Sequence, residues 1–471
     1  MPEIKEHCGL FATFGPPDAT VRTYFGLWAL QHRGQESAGI VASDGKVLRR
    51  HVGMGLVAEV FGEDSLARLK GNAAIGHVRY STTGSSNIAN AQPFMVEYRA
   101  GQIAAAHNGN IVNAAALHDE CEATGSIFQT TMDTEVLIHL IARGSKGHWL
   151  GACLNRLRGA YSLLLIRPHE VIAVRDPQGV RPLWLGELRD GKGYVVASET
   201  CAFDLPAVDA RPLREIACGE MVSLTDSGVR SEIFAPRDAI FPKHCVFEHV
   251  YFARPDSNLF GDNVHLVRER LGEALAREHP RDADIVVAVP DSGNSASMGY
   301  ANASSIPLER GFIRNHYVGR TFIQPSQQAR FRNVQVKLNV VRDVVRDKRV
   351  VVVDDSIIRG TTCRSRVRTL KDAGAREVHM RISCPPTRYA CFYGIDFPTR
   401  TELLAARHST EEIRTFIEAD TLGYLSLDGM LSCLSQPPDH YCTACWTGEY
   451  PIEVDAGTDK FVLERHKTCA P

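Results

Sequence analysis

Residues 349–374 constrain the fold of this chain more than any other stretch. They open with four consecutive valines at 350–353, and an unbroken β-branched run is typical of a strand buried on both faces of a parallel sheet. Two adjacent carboxylates, Asp354 and Asp355, follow directly. The pattern predicts a central strand whose carboxyl end carries two acids at the edge of a sheet.

The residues after the acids favour an anion site. Gly360 allows the backbone to approach a ligand closely. Thr361 or Thr362 is expected to cap a helix that ends near Gly374. Free N–H groups and hydroxyls at such a terminus suit a phosphate, whereas the two acids suit ribose hydroxyls or hydrated Mg²⁺. The alternative is a buried strand that ends in an acidic helix cap.

This run resembles the loop that binds 5-phosphoribosyl 1-pyrophosphate (PRPP) in type I phosphoribosyltransferases, which have an α/β domain with a parallel sheet. The resemblance implies that Asp354 and Asp355 hold Mg²⁺-bound substrate. Ser292, after the apolar run at 285–289, matches a position of the Mg²⁺–diphosphate site in that family. The remaining PRPP-binding positions implied are Arg359, Gly360, Thr361 and Thr362 for the 5-phosphate, and Arg320 and Lys337 near the diphosphate. Ser292 as a loop residue and the two cations as a solvated face remain alternatives.

Composition excludes several classes of protein. The chain has 471 residues, which suits two or three domains, and its net charge of −2 predicts neither a nucleic-acid nor a membrane partner. No apolar run is long enough to span a bilayer, and the N-terminus lacks the features of a secretory signal. Thirteen scattered cysteines, an odd number, favour a reducing cytoplasm over a disulfide framework.

The first half of the chain reads as strands and turns with few long helices. Apolar or alternating runs predict strands at 10–14, 75–78, 103–107, 161–166, 171–175 and 194–198, and helical spacing appears at 20–32 and 134–142. Such an order predicts a layered α/β domain. Pro236 and Pro242 enclose a short stretch at which the sequence pattern changes. We therefore expect one domain at 8–235 and a second at 236–471.

Cys8 stands directly before an apolar run, where a thiol is most often inert packing. Its context changes the interpretation, because further motifs follow at 30–40, 77–84, 107–111 and 131–135. In this order they resemble the glutamine domain of N-terminal-nucleophile (Ntn) amidotransferases, which has four αββα layers. The resemblance implies that residues 1–7 are a propeptide and that Cys8 is the nucleophile, with its own α-amine as base. The alternative is an uncleaved tail.

The same resemblance implies the rest of the glutamine site. Asn108 and Gly109 match an oxyanion hole, made of an amide side chain and a backbone N–H. Arg79 matches the residue that binds the α-carboxylate of glutamine, and Asp133 the partner of its ammonium group. Further glutamine-binding positions are Arg33 and Thr82. Taken singly, Arg79 also suits a surface ion pair, Asp133 a helix N-cap and Asn108 a turn.

Four cysteines near the C-terminus and the domain boundary form a last group. Cys442 and Cys445 make one CxxC motif, which is ambiguous between zinc, redox and iron–sulfur chemistry. With Cys245 and Cys391 they resemble the ligands of a [4Fe–4S] cluster in the Bacillus-type class of glutamine-dependent PRPP enzymes. That implies a structural tie between distant segments, with zinc as the rival ligand. Cys384 and Cys433 lie close enough in the sequence to be mistaken for members of this ligand set.

The combined resemblance runs from Cys8 to about residue 451. It implies an enzyme that transfers the amide nitrogen of glutamine to PRPP at the start of purine synthesis, with one Mg²⁺ per subunit. It also implies purine nucleotides as feedback inhibitors and a homotetramer or homodimer. The alternatives are another Ntn glutamine amidotransferase, or a regulator that senses PRPP without catalysis.

Overall fold

Two antiparallel sheets stack face to face in the first half of the chain. The computed structural model describes residues 8–80, 87–144, 149–315, 338–396, 400–454 and 463. The first-half strands are β1 (Gly9–Phe14), β2 (Ser37–Ser43), β3 (Leu48–Met54), β4 (Ala73–Arg79), β5 (Phe94–Tyr98), β6 (Gly101–Ile111), β7 (Gly159–Arg167), β8 (Glu170–Arg175), β9 (Trp184–Leu188), β10 (Tyr194–Ala197), β11 (Ala210–Glu215), β12 (Glu220–Thr225) and β13 (Gly228–Ile233). One sheet has the order β11-β9-β10-β1-β4-β2-β3, and the other has the order β13-β12-β8-β7-β6-β5.

Apolar side chains fill the space between the two sheets, with Leu10 and Ile75 from one sheet meeting Leu164 from the other. Helices cover both outer faces. Leu27 packs with the outer side of the first sheet, and Leu137 packs on the second. These helices span Ala19–Ala29, Val57–Val60, Glu63–Arg68, Ala114–Ala123, Asp133–Arg143 and Trp149–Leu154. The result is the four-layer αββα arrangement that the sequence predicted.

A parallel sheet organises the second half. Its strands and the accompanying short bridges are β14 (His244–Cys245), β15 (Asn258–Leu259), β16 (Asp262–Asn263), β17 (Ile285–Ala288), β18 (Leu308–Glu309), β19 (Phe312–Arg314), β20 (Leu338–Val340), β21 (Arg349–Asp354), β22 (Glu377–Ile382), β23 (Thr421–Tyr424) and β24 (Tyr441–Cys442). The main sheet has the order β18-β17-β21-β22-β23, all parallel, so the four valines occupy its central strand. All four are fully buried, as predicted for this class of sheet.

Helices flank this sheet and close the C-terminal region. They span Val264–Glu278, Asn294–Ser304, Arg342–Val345, Thr361–Asp372, Thr410–Ile417, Leu427–Leu431 and Ala444–Thr447, with a π-helix at Glu248–Phe252. Single 3-10 turns lie at Gln31–Arg33, Ile88–Asn90, Thr200–Ala202, Arg237–Ala239, Arg400–Glu402, Leu404–Ala406 and Pro438–His440. Within the described ranges, no helix is both long enough and apolar enough to cross a membrane.

The six predicted strands and both predicted helices are present, with ends that differ by a few residues. The expected threonine cap is wrong. The helix Thr361–Asp372 has Gly360 as its N-cap, in the left-handed region with φ of 73°, and no side chain caps it. Thr361 and Thr362 are its first two residues, so their N–H groups face the loop directly. The domain boundary at 235/236 stays a prediction.

Candidate active sites

Cys8 lies directly before β1 and is buried. Because β1 and β4 are antiparallel, with Gly9 opposite Val78, Cys8 lies beside the end of β4. Its thiol donates to the carbonyl oxygen of Tyr80 at 3.5 Å. Burial is the main cause that raises the pKa of the Cys8 thiol to about 11, although the Tyr80 hydrogen bond and the charge of Arg79 oppose it. The thiol therefore needs a nearby base to become a nucleophile at neutral pH.

Two charged groups predicted to bind glutamine act on this thiol. Arg79 ends β4 and pairs with Glu36, Nη1 to Oε1, at 2.6 Å. Asp133 accepts from the backbone N–H of Ile111 at 3.0 Å and lies 3.3 Å from Nδ1 of His107. Burial acts to raise the pKa of Asp133, but His107 and backbone donors hold it below its usual value. Both charges influence Cys8, so they belong to one pocket.

Asp133 is the first residue of its helix, and the N-cap is Met132 instead. The alternative interpretation of Asp133 as an N-cap is therefore wrong. Arg79 is buried, which excludes the alternative of a surface pair. Thr82 lies outside the described residues, as does the predicted propeptide at 1–7.

Asn108 and Gly109 lie in β6, which runs beside β7 with Asn108 opposite Ser162. The side chain of Asn108 is fully buried, and neither its oxygen nor its nitrogen has a hydrogen-bond partner among the described residues. Leaving a buried amide unpaired costs about 1–3 kcal/mol, so its two polar atoms are available to a water molecule or a ligand. Gly109 has φ of 141°, and the carbonyl of Ala160 leaves no room for a side chain there.

Arg33 holds the backbone of Cys8 through a hydrogen bond to its carbonyl oxygen. Its Nε donates to the carbonyl oxygen of Cys8 at 3.2 Å, and its two terminal nitrogens bind Glu248 at 3.0 and 2.7 Å. Nη1 also binds Glu199. Arg181 joins through a 3.2 Å contact with Glu248. All four charged side chains are buried, and Glu248 belongs to the second half of the chain. We refer to Arg33, Glu199, Arg181 and Glu248 as the interdomain charge network.

The charges in this network stabilise one another. Burial alone would lower the pKa of Arg33, but Glu248 and Glu199 outweigh it and raise that pKa. Burial would raise the pKa of Glu199, but His32 and Arg33 hold it well below its usual range. The sequence predicted Arg33 as a glutamine-site residue and missed both glutamates and Arg181. No local motif marks them, because their partners are far away in the chain.

The second site is a cavity of about 420 Å³ at the carboxyl edge of the parallel sheet. The predicted residues that line it are Ser292, Asp354, Asp355, Arg359, Gly360, Thr361 and Thr362. His32 of the first half also lines it, and His32 Nε2 lies 2.7 Å from Glu199 Oε1. One wall of this cavity is therefore in contact with the interdomain charge network.

The two adjacent acids differ in their surroundings. Asp354 accepts from Nη1 of Arg366 at 2.7 Å. Asp355 has its pKa raised to about 7, first by burial and then by the charge of Asp354, although the hydroxyls of Ser356 and Ser292 oppose this. Without a cation, the pair therefore binds a proton more readily than an isolated aspartate does.

Four further cations line the cavity and were not predicted: Arg254, Arg268, Arg314 and Arg366. Arg268 could have been recognised, because it is next to Val267 on the buried face of its helix, and a buried charge needs a partner. Its Nε donates to the carbonyl of His249 at 2.7 Å. The predicted cations Arg320 and Lys337 lie outside the described residues.

The structure brings the four predicted cluster cysteines together. Cys245 and Cys442 are opposite each other in the parallel bridge of β14 and β24. Burial and the charges of Cys245, Cys442 and Cys391 raise the pKa of Cys445. Cys384 also acts on Cys445. The shared environment is a buried set of soft thiolate donors.

The spacing of these sulfurs tests the kind of group that would fit. Among the described residues, no three of the four sulfurs lie within 4.8 Å of one another. A tetrahedral zinc with bonds of ~2.3 Å would require sulfurs roughly 3.8 Å apart. As they lie in this structure, the four sulfurs are therefore not arranged as a closed zinc site.

Comparisons with known proteins match both halves of the chain. A family model for the glutamine amidotransferase domain matches residues 77–204. The amidophosphoribosyltransferase of Bacillus subtilis is 51% identical over 461 residues, covering 96% of this chain and 95% of that protein. The enzyme of Synechococcus elongatus is 48% identical, covering 98% and 94%.

Two solved structures match nearly the whole chain. One, described as the allosteric regulatory enzyme of purine biosynthesis, has a TM-score of 0.91 and 49% identity and covers 97% of this chain and 99% of its own. The other is glutamine PRPP amidotransferase from B. subtilis in complex with ADP and GMP, with a TM-score of 0.89 and 50% identity, covering 96% and 99%.

Fold, sites and relatives define a glutamine amidotransferase joined to a phosphoribosyltransferase. The chain belongs to the amidophosphoribosyltransferase family. It is an enzyme that transfers the amide nitrogen of glutamine to PRPP, giving 5-phosphoribosylamine, glutamate and diphosphate, in the first committed step of purine synthesis. Neither another glutamine amidotransferase nor a PRPP-sensing regulator accounts for matches over both halves.

Asp355 predicts a pH dependence of stability in metal-free protein. Its folded-state pKa of about 7 lies above the value of ~3.9 expected when unfolded. Its contribution to stability is therefore complete below pH ~3.9 and is lost progressively as the pH rises from there through about 7. Asp355→Asn should flatten the fall in the free energy of unfolding over that pH window, measured by urea denaturation.

Asp343→Asn is the matched control, because that side chain is 89% exposed. It should leave the pH dependence unchanged. Equal slopes for wild type and Asp355→Asn would contradict a buried, proton-binding Asp355.

Proposed function

We propose that Cys8 is the nucleophile that attacks the amide of glutamine, and that its own α-amine is the base once residues 1–7 are removed. The raised thiol pKa supports this proposal, because a buried thiol without a base stays protonated at neutral pH. A free α-amine has a pKa near 8 and can accept that proton. The protonated amine then gives that proton to the leaving nitrogen, so a thioester forms and ammonia is released, and water hydrolyses the thioester to glutamate and free Cys8.

The surrounding residues then take separate roles in this proposal. The amide of Asn108 and the N–H of Gly109 stabilise the tetrahedral oxyanion, and the unpaired amide of Asn108 supports that role. Arg79 binds the α-carboxylate of glutamine, and Asp133 binds its ammonium group. Arg33 holds the backbone of Cys8 through the carbonyl contact and the interdomain charge network.

At the second site, the N–H groups of Gly360, Thr361 and Thr362 and the guanidinium of Arg359 bind the 5-phosphate. Asp354, Asp355 and Ser292 would hold Mg²⁺. When bound, Mg²⁺ supplies charge neutralisation for the diphosphate that leaves as ammonia attacks C1 of the ribose. Arg320 and Lys337 are proposed to assist there. The described cations Arg254, Arg268, Arg314 and Arg366 add positive charge to the same cavity.

One observation carries the proposal that the two reactions are coupled. His32 lines the phosphoribosyl cavity, and the next residue in the chain, Arg33, donates to the carbonyl of Cys8. The two sites therefore share one wall and a continuous chain of hydrogen bonds. We propose that ammonia passes inside the protein between them. A short internal path protects ammonia from protonation in water.

Further proposals concern the cysteines, regulation, assembly and location. Cys245, Cys391, Cys442 and Cys445 would hold a [4Fe–4S] cluster that ties the C-terminal segment to the boundary region. Purine nucleotides would act as feedback inhibitors, since one related structure binds ADP and GMP. We retain a homotetramer or homodimer, a cytoplasmic location, and domains at 8–235 and 236–471.

Cys8→Ala tests whether the sites are separable. It should lower glutamine-dependent synthesis at least ~10³-fold, because the nucleophile is gone. Synthesis from added ammonia should stay near the wild-type rate, since the second cavity is untouched. Both rates are measured by phosphoribosylamine formation.

Cys121→Ala is the matched control, because it removes a buried thiol from the same domain without touching the site. Asp354→Asn changes the second site instead and should abolish synthesis from both glutamine and ammonia. Loss of both activities in a folded Cys8→Ala protein would refute separate sites.

Removal of the propeptide is a second prediction. The active enzyme should have an intact mass that begins at Cys8, because an acylated amine cannot accept a proton. Intact-mass spectrometry of active protein measures this directly. Full activity with residues 1–7 still attached would exclude the α-amine as base.

The cluster is a third prediction. Anaerobically purified protein should contain about four irons and four sulfides per chain and absorb in the visible range. Cys442→Ser should lower the iron content, whereas Cys433→Ser, whose thiol contacts the carbonyl of Gly429, should not. One zinc per chain and no iron would show that the four cysteines bind zinc and would contradict the cluster.

A further inference from the structure

Three contacts from the glutamine half converge on the backbone of residues 392–394, which we call the 392–394 turn. Asn110 Nδ2 donates to the carbonyl oxygen of Phe392 at 2.8 Å. Arg181 donates to the carbonyl oxygen of Tyr393 through Nε at 3.1 Å and Nη2 at 2.7 Å. Gly394 lies against the backbone of Gly109. All three partners belong to the first half of the chain.

The contact at Gly394 leaves no space for a side chain. Gly394 has φ of 105°, and a Cβ there would lie 3.0 Å from both Cα and C of Gly109 and 3.1 Å from its oxygen. Gly109 is itself held in the sheet, because it lies opposite Tyr161 in the pairing of β6 with β7. The two glycines therefore meet backbone to backbone, where small movements on one side displace the other.

The position of this contact gives it a consequence for chemistry. Gly109 carries one proposed oxyanion donor and Asn108 the other, and Asn110 follows them in β6. The 392–394 turn thus holds the strand end on which both donors lie. Donors of this kind act only when they are fixed in direction before the charge develops.

We propose that the 392–394 turn positions the oxyanion donors, so that the C-terminal half completes the glutamine site. This inference rests on the proposed roles of Asn108 and Gly109. Neither Phe392 nor Gly394 touches substrate; both are positioning residues that act through Gly109 and Asn110. In these three contacts the turn contributes backbone groups, so the proposal depends chiefly on glycine at 394.

Gly394→Ala tests the proposal. The added methyl should displace Gly109 and lower kcat for glutamine hydrolysis by about 10- to 100-fold. KM for glutamine should change less than about threefold, because Arg79 and Asp133 bind the other end of the substrate. Synthesis from ammonia should stay within about twofold, since this contact lies outside the phosphoribosyl cavity.

Gly228→Ala is the matched control. Gly228 has nearly the same backbone conformation, with φ of 106°, but a Cβ there would meet nothing within 4 Å. It carries the same backbone strain without the collision and should leave both activities unchanged. A wild-type kcat for glutamine in Gly394→Ala would overturn the proposal.

Asn110→Ala provides a second variant in case Gly394→Ala fails to fold and loses both activities. Removing the bond to Phe392 should lower kcat for glutamine about fivefold and spare synthesis from ammonia. An unchanged kcat in Asn110→Ala would then overturn the proposal. Asn108→Ala separates the two levels: if it also leaves kcat unchanged, the proposed oxyanion hole itself is wrong.

Discussion

The structure depends on a small set of buried opposite charges. Arg33 and Arg181 form ion pairs with Glu199 and Glu248, and all four side chains are buried. Charges buried this deeply are tolerated only when every partner is in place, and removing one partner of such a pair typically costs about 3–5 kcal/mol. This requirement holds the two halves in one relative position. Cys8 is tied to that position because its carbonyl is one of the acceptors of Arg33.

The same constraint explains how one chain serves two chemistries. In the proposed mechanism, the glutamine site keeps the Cys8 thiol, two charges and the unpaired amide of Asn108 away from solvent. The proposed phosphoribosyl site holds a multiply charged sugar beside Asp354 and Asp355. Within its own half, neither site has a fixed position relative to the other. The charge network places them on adjacent walls, with His32 facing one site and Arg33 supporting the other.

Patterns that depend on neighbours in the chain were predictable. The four valines indicated a central parallel strand, and the acids and glycine after them indicated the cavity edge. Strand β2 was missed because SAGIVAS consists mostly of small residues and is buried along its whole length, so it shows no alternation. Strand β13 was missed because most of it is exposed and polar. The threonine cap failed because a glycine in the left-handed region precedes the helix and ends the loop itself.

Features that depend on tertiary folding were not predictable from single motifs. Arg33 and Glu248 are 215 positions apart, and nothing in the local sequence of either marks a buried partner. The different surroundings of Asp354 and Asp355 were equally hidden, because Arg366 reaches Asp354 from one helix turn beyond the loop. Thus the sequence indicated which residues gather at the two predicted sites, whereas the different surroundings of the two acids became visible only in the fold.

The division of the charge network between the halves limits modularity. The glutamine half contributes two guanidinium groups and one carboxylate, and the other half supplies the balancing carboxylate of Glu248. A gene split at the boundary would leave a surplus positive charge inside one fragment and an unpaired acid in the other. Neither fragment is therefore an interchangeable part, and a graft of either half onto an unrelated partner would have to carry its matching charge.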